Sequence, residues 1–140
     1  MTNPEKRTAI PTIFNPAHPH DPTPNGYSTA AIVPASGRLA FISGQGGQDH
    51  KGSLSTKFAQ QVEQAYAKLA AGIDALGARP EQVVKLTLFV ADHDMSKLGI
   101  LTENVFRTFG TTLPAQTLVP VPKLAIDPML FEVEAIVLMD

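Results

Sequence analysis

The chain contains no cysteine. That removes a disulfide framework, a thiolate metal site and a cysteine nucleophile together, and it fits a reducing, cytoplasmic setting. Charge is also sparse: eleven Lys and Arg against thirteen Asp and Glu leave a formal net charge of −2. The basic residues are scattered rather than clustered, so the chain lacks the electrostatic footprint of a nucleic-acid binder. Pro4, Glu5, Lys6 and Arg7 stand where a signal peptide needs an apolar stretch, so no export is expected. The apolar run Ala135 to Met139 falls far short of the ~20 residues that cross a bilayer, and no membrane association is expected.

Apolar residues make up 44% of the 140 positions and charged residues 17%. This is globular composition for one domain with a real core, too short for two ordinary ones. Proline is abundant but uneven, with six of twelve between Pro4 and Pro24. Proline fixes φ and removes a backbone donor, so residues 1–26 read as an extended arm without helix or central strand, ahead of a domain over 27–140. His18 and His20 flank Pro19 in this arm. As metal ligands they lack a coordination set, since only Asp21 stands nearby, and solvated loop histidines are the simpler reading.

Beyond the arm, Tyr27 to Val33 and Arg38 to Ser43 are short apolar runs separated by Pro34-Ala35-Ser36-Gly37, a hairpin pattern. The adjacent Phe41 and Ile42 predict a second strand covered on both faces. It is expected to end at Ser43-Gly44-Gln45-Gly46-Gly47, a glycine-rich turn without the Gly-Lys-Ser/Thr of a phosphate loop. Phe58, Val62, Ala65, Leu69, Ile73 and Leu76 recur at helical spacing, with Ser55 as N-cap and Gly77 as stop. Val83 to Val90 is β-branched with Lys85 and Thr87 alternating, a strand half covered by that helix. Leu98, Leu101, Val105 and Phe109 predict a second helix, capped by Ser96 and ended by Gly110. Ala115 to Val119 is a short strand broken by Pro120. Leu130 to Met139 is a last strand with Glu132, Glu134, Ile136 and Leu138 on one face and Phe131, Val133, Ala135 and Val137 on the other.

Two carboxylates two residues apart on one strand face have a glycosidase-like spacing, but a barrel-lining or structural Glu134 is the simpler reading in so short a chain. Glu132 shares a face with Ile136 and Leu138, and a half-covered carboxylate is suited to proton transfer. Ser28 and Ser43 have no nucleophile-elbow context, and His50 and His93 fall in loops, so no serine triad is indicated.

Four segments taken in order, Gly26-Tyr27-Ser28, Phe41-Ile42-Ser43-Gly44-Gln45, Val83 to Val90 and Phe131-Glu132-Val133-Glu134-Ala135-Ile136, resemble the RidA/YjgF reactive-intermediate-deaminase superfamily. The resemblance covers residue 26 to the C-terminus. It implies a chorismate-mutase-like α+β subunit with a mixed β-sheet and two helices on one face. It also implies a homotrimer around a central barrel, with small-molecule clefts between subunits. Deaminase members of the family hydrolyse 2-imino or enamine acids to 2-oxo acids and ammonia without metal or organic cofactor.

The resemblance also carries site residues. Glu132 matches the glutamate that handles water. Tyr27 matches a tyrosine of the substrate pocket, Gly44 a glycine facing the ligand, and Leu118 the position two after the family's substrate arginine. Glu103 aligns near a helix asparagine, with Asn104 beside it. The arginine itself, which follows a Pro-Ala pair and grips the substrate carboxylate as a fork, is here Gln116 after Pro114-Ala115. A glutamine makes single hydrogen bonds but carries no charge. Losing a charge partner of a buried carboxylate costs about 2–5 kcal/mol. The sequence therefore points to a cleft for a neutral or cationic metabolite, possessing Glu132 for hydrolysis. A true imino-acid deaminase in which another group replaces the arginine, and a non-catalytic binding or chaperone-like trimer, remain the alternatives. Endoribonuclease activity is the least supported by the charge balance.

Overall fold

The computed structural model describes residues 9–17 and 20–140. His18 of the arm pair lies outside the described residues; His20 is exposed. The strands are β1 (Thr12–Phe14), β2 (Ala30–Ile32), β3 (Arg38–Gly46), β4 (Val83–Ala91), β5 (Ala115–Val121) and β6 (Phe131–Met139). The helices are α1 (Phe58–Ala75) and α2 (Leu98–Phe109). The main sheet has the order β3-β6-β4-β5, with β4 and β5 parallel and β6 antiparallel to both its neighbours. It is therefore mixed, as expected. The crossovers β3-α1-β4 and β4-α2-β5 step the same way across the sheet. Crossovers of one hand then place both helices on the same face.

The core lies between that face and the helices. Val62, Ala65, Tyr66, Leu69 and Ile73 of α1, Leu101, Val105 and Phe109 of α2, and Leu86, Leu88 and Val90 of β4 pack against Phe131, Val133, Ala135 and Val137 of β6. Tyr66 stacks on Phe131 at 5.8 Å between ring centroids. Burial pushes its phenol well above the ordinary range and keeps it neutral.

Several local expectations are corrected. Strands β2 and β3 do not form a hairpin: β2 pairs with β1, through Thr12↔Ile32 to Phe14↔Ala30, and β3 pairs with β6. The turn between them is closed by Gly37 N–H donating to Pro34 O, and its residues have no positive φ. Tight two-residue hairpin turns favour the primed, positive-φ geometry, and this longer connection has none of it. The arm is not wholly extended loop, because β1 forms in the proline-free stretch between Pro11 and Pro16, and Thr23–Asn25 make one 3-10 turn.

Strand β3 does not stop at Ser43. A bulge between Ile42 and Gln45 carries it on to Gly46. Nor is it covered on both faces, since Ile42 packs on the core while Phe41 is 72% exposed. Strand β5 passes through Pro120, which an edge strand tolerates because no neighbour needs its N–H. Ser55 and Ser96 are not the N-caps. Lys57 occupies that position for α1, with its N–H donating to Ser55 Oγ, and the turn before α2 is held by Asp94 accepting from Ser96 N–H at 2.7 Å. Leu76 lies just past α1 and is 40% exposed.

One buried polar side chain ties the sheet to the helix. Gln61 is fully buried; its Nε2 donates to Ser55 O at 2.7 Å and Pro128 O at 3.0 Å, and its Oε1 accepts from Leu130 N–H at 2.8 Å. Gly47 passes so close that a Cβ there would lie 2.6 Å from the Gln61 backbone. Gln61→Leu keeps the volume but strands three partners, each costing about 1 kcal/mol or more. Urea unfolding of this variant is expected to show a midpoint loss worth about 3 kcal/mol with an unchanged slope; an unchanged midpoint would show that Gln61 does not tie these elements together.

Candidate functional site

The β5 side of the sheet holds a cleft of about 380 Å³. Its walls come from three places: Asn25 and Tyr27 at the end of the arm, Leu98, Leu101 and Thr102 on the first turns of α2, and Gln116, Thr117 and Leu118 on β5. The arm reaches this position through a chain of local constraints. Gly26 adopts φ +84°, closed by its N–H donating to Thr23 O, which turns the chain against α2. Thr102 Oγ1 donates to Asn25 O at 3.2 Å. The buried Ser28 donates its N–H to Pro114 O at 3.0 Å, and Asn15 clasps it from the arm, Nδ2 to Ser28 Oγ at 3.2 Å and Oδ1 accepting Thr29 N–H at 2.7 Å. Tyr27 is thereby held across from β5.

Among the described residues, none of this lining carries a charge at neutral pH. Gln116 makes no side-chain hydrogen bond among the described residues, and its Oε1 is buried without a partner. Buried polar atoms are paired in the great majority of native sites, so an unpaired amide at a cleft wall is available to a ligand. One cation reaches the rim: Lys85 Nζ donates to Thr117 Oγ1 at 2.6 Å from the opposite face of the sheet.

The single chain thus brings Tyr27, Gln116 and Leu118 together and places the others elsewhere. Glu132 is half-buried on the sheet face away from the helices, beside Gly44. The bulge in β3 sets the Gly44 backbone so close that a Cβ would lie 2.0 Å from Glu132 Oε1. Glycine there is a requirement of the carboxylate's position. Glu103 sits on the exposed side of α2, ion-paired with Arg107 at 3.3 Å, and is not part of the cleft lining. Its neighbour Asn104 is buried, donating to Ile100 O and accepting from Arg107 Nη1. Glu134 is exposed on the open face, in a hollow of about 290 Å³ with Phe41, Lys85, Thr87 and Ile136. Sequence reasoning missed Asn25, Leu98, Leu101 and Thr102. The α2 residues were legible only as a core stripe, and nothing in their spacing marks the turn that overhangs a strand edge.

The family model described as endoribonuclease L-PSP matches residues 19–139. A 2-iminobutanoate/2-iminopropanoate deaminase of Salmonella typhimurium is 31% identical over 102 residues, 71% of this chain and 79% of that protein. The chain belongs to the endoribonuclease L-PSP family, the RidA/YjgF superfamily. Among solved structures, the Rid-family protein YyfB of unknown function from Yersinia pestis superposes with a TM-score of 0.88 at 27% identity, over 93% of this chain and 99% of its own. RidA from an Antarctic Psychrobacter superposes at 0.66 with 28% identity, over 95% and 100%.

Because Gly44 makes room for Glu132, Gly44→Ala is expected to leave the fold intact and force the carboxylate aside by more than about 1 Å, the least that relieves such a contact. A crystal structure of the variant with Glu132 in its original rotamer would contradict this account of the glycine.

Proposed function

We propose that this protein is an arginine-free Rid protein that binds a small uncharged or cationic metabolite in the β5 cleft and hydrolyses a C=N or C–N bond of it. Water adds to the carbon while Glu132 takes one of its protons and passes it to the nitrogen; the remaining hydroxyl proton follows as the C–N bond breaks, leaving a C=O and releasing ammonia or an amine. The observation that carries the reading is Gln116: it stands in the arginine's position, and among the described residues it is unpaired and no charged side chain lines the cleft. A desolvated substrate carboxylate would find no compensating charge there.

Within one chain Gln116 and Glu132 belong to different faces of the sheet, so the reading includes a homotrimer in which a neighbouring subunit carries Glu132 and Gly44 to the cleft. The exposed Phe41 and Leu39 and the half-covered Ile136 on the open face supply apolar surface for that contact. Glu103, ion-paired to Arg107, would modulate the rim rather than hold the ligand.

A second reading is a true imino-acid deaminase in which Lys85, whose ammonium donates to Thr117 Oγ1 of the lining, replaces the missing guanidinium; the relationship to the Salmonella deaminase is in keeping with it.

Light scattering is expected to give a particle three times the 15.0-kDa chain; a stable monomer at micromolar concentration would remove the shared site. On that particle, loss of 2-iminobutanoate generated by a coupled dehydratase is expected to be barely accelerated. Gln116→Arg is expected to raise the rate about 10- to 100-fold, the worth of a restored charged fork. Fast turnover by the unmodified protein, abolished by Lys85→Met, would establish the second reading instead.

A further inference from the structure

The cleft is lined by three consecutive residues of β5, Gln116, Thr117 and Leu118. Side chains of neighbouring strand residues point to opposite faces of a sheet, so one surface contacts all three only where it meets the strand's edge. Strand β5 is the last strand of the sheet, and among the described residues no strand lies beyond it.

The direction of its backbone groups follows from one hydrogen bond. Ser28 N–H donates to Pro114 O, and Ser28 bridges Ala115 in the parallel sense, so the Pro114 carbonyl points away from β4. Backbone groups along a strand alternate sides, which turns the N–H and C=O of Gln116 and Leu118 outward as well. Pro120 completes the series: it occupies the next outward position, where a missing N–H costs no ladder bond. Beyond Ser28 the edge therefore presents the Gln116 carbonyl and the Leu118 N–H, flanking Thr117, to the cleft. In a parallel pairing these two groups bind the N–H and the C=O of a single residue, as Pro114 O already takes the N–H of Ser28 one step earlier.

We propose that this free edge is the cleft's recognition element and that it takes a peptide-like unit, a molecule with an amide N–H and a C=O on either side of one carbon, as a strand residue opposite Thr117. The ligand class is then an N-acylated or cyclised amino-acid amide. A free 2-imino acid presents a carboxylate beside the uncharged Gln116 and fits less well. The inference rests on the neutral-cleft reading above, and adds to it the backbone as the selecting group, as in other ligands that extend a sheet.

The test uses the full-length isotopically labelled assembly, N-acetylglycinamide as the probe, and N-acetylsarcosinamide, which differs only by a methyl group on the N–H. The expected result is a saturable shift of the Leu118 amide resonance with the first compound and at least tenfold weaker binding of the second, together with rapid hydrogen exchange at Leu118 before ligand is added. Equal binding of both compounds, seen at Tyr27 and the Gln116 side chain, would overturn the edge proposal and leave the neutral cleft standing. Slow exchange at Leu118 without ligand would overturn it too, because a second copy of the chain would then already occupy the edge. If neither compound perturbs the cleft while 2-oxobutanoate does, the neutral reading itself fails; if none of the three does, both readings fail.

Discussion

Strand β6 is hydrogen-bonded along both edges, to β3 from Arg38↔Met139 to Gly46↔Glu132 and to β4 from Val83↔Val137 to Val90↔Phe131. Its alternation divides the molecule. Phe131, Val133, Ala135 and Val137 are buried beneath the helices and fix where α1 and α2 lie. The residues between them include Glu132, Glu134 and Ile136, and these face away from the helices. A one-residue slip would exchange the two sets, driving two carboxylates into an apolar core, so the register is strongly specified. The position of Glu132 is thus a by-product of the same pattern that builds the core. The bulge at Ile42 to Gln45 then brings Gly44 under it.

The cleft depends on the other end of the sheet, where among the described residues no strand lies beyond β5 and only Ser28 bridges its outer edge. An edge strand is normally blunted. Here Pro120 removes one donor, and Ser28, clasped by Asn15, covers the first residues. What is left open is the stretch beside Gln116 and Leu118, roofed by α2 and Tyr27. On the proposed reading, electrostatics distinguish this cleft from one built for carboxylates. A glutamine offers a donor and an acceptor of equal standing, while a guanidinium offers donors and charge. On that reading, glutamine in the arginine's position changes the kind of ligand the cleft desolvates, and leaves its shape to the surrounding strand and helix.

Both helices were legible in the sequence because their apolar residues recur every three or four positions, a local signal. The faces of β6 were legible for the same reason, by alternation. What failed was nonlocal. Strand β2 finds its partner in Thr12–Phe14 and β3 finds its partner at the C-terminus, and neither pairing leaves a mark in the intervening turn. Phe41 next to Ile42 reads as a doubly covered strand, whereas Phe41 is exposed. In the site, Tyr27, Gln116 and Leu118 were legible through the family resemblance, and the structure gathers them at one cleft. Asn25 and Thr102 were not legible, because their role arises from a hydrogen bond between segments 77 residues apart.

The central claim is that Gln116 tunes the cleft to uncharged ligands. Thermal unfolding with a matched pair, 2-oxobutanamide and 2-oxobutanoate, tests it most directly, since the two differ only in the group that would meet Gln116. A ligand that binds only the folded protein raises its melting temperature by mass action. The account predicts a concentration-dependent rise with the amide and none with the carboxylate; an equal or larger rise with the carboxylate would contradict it.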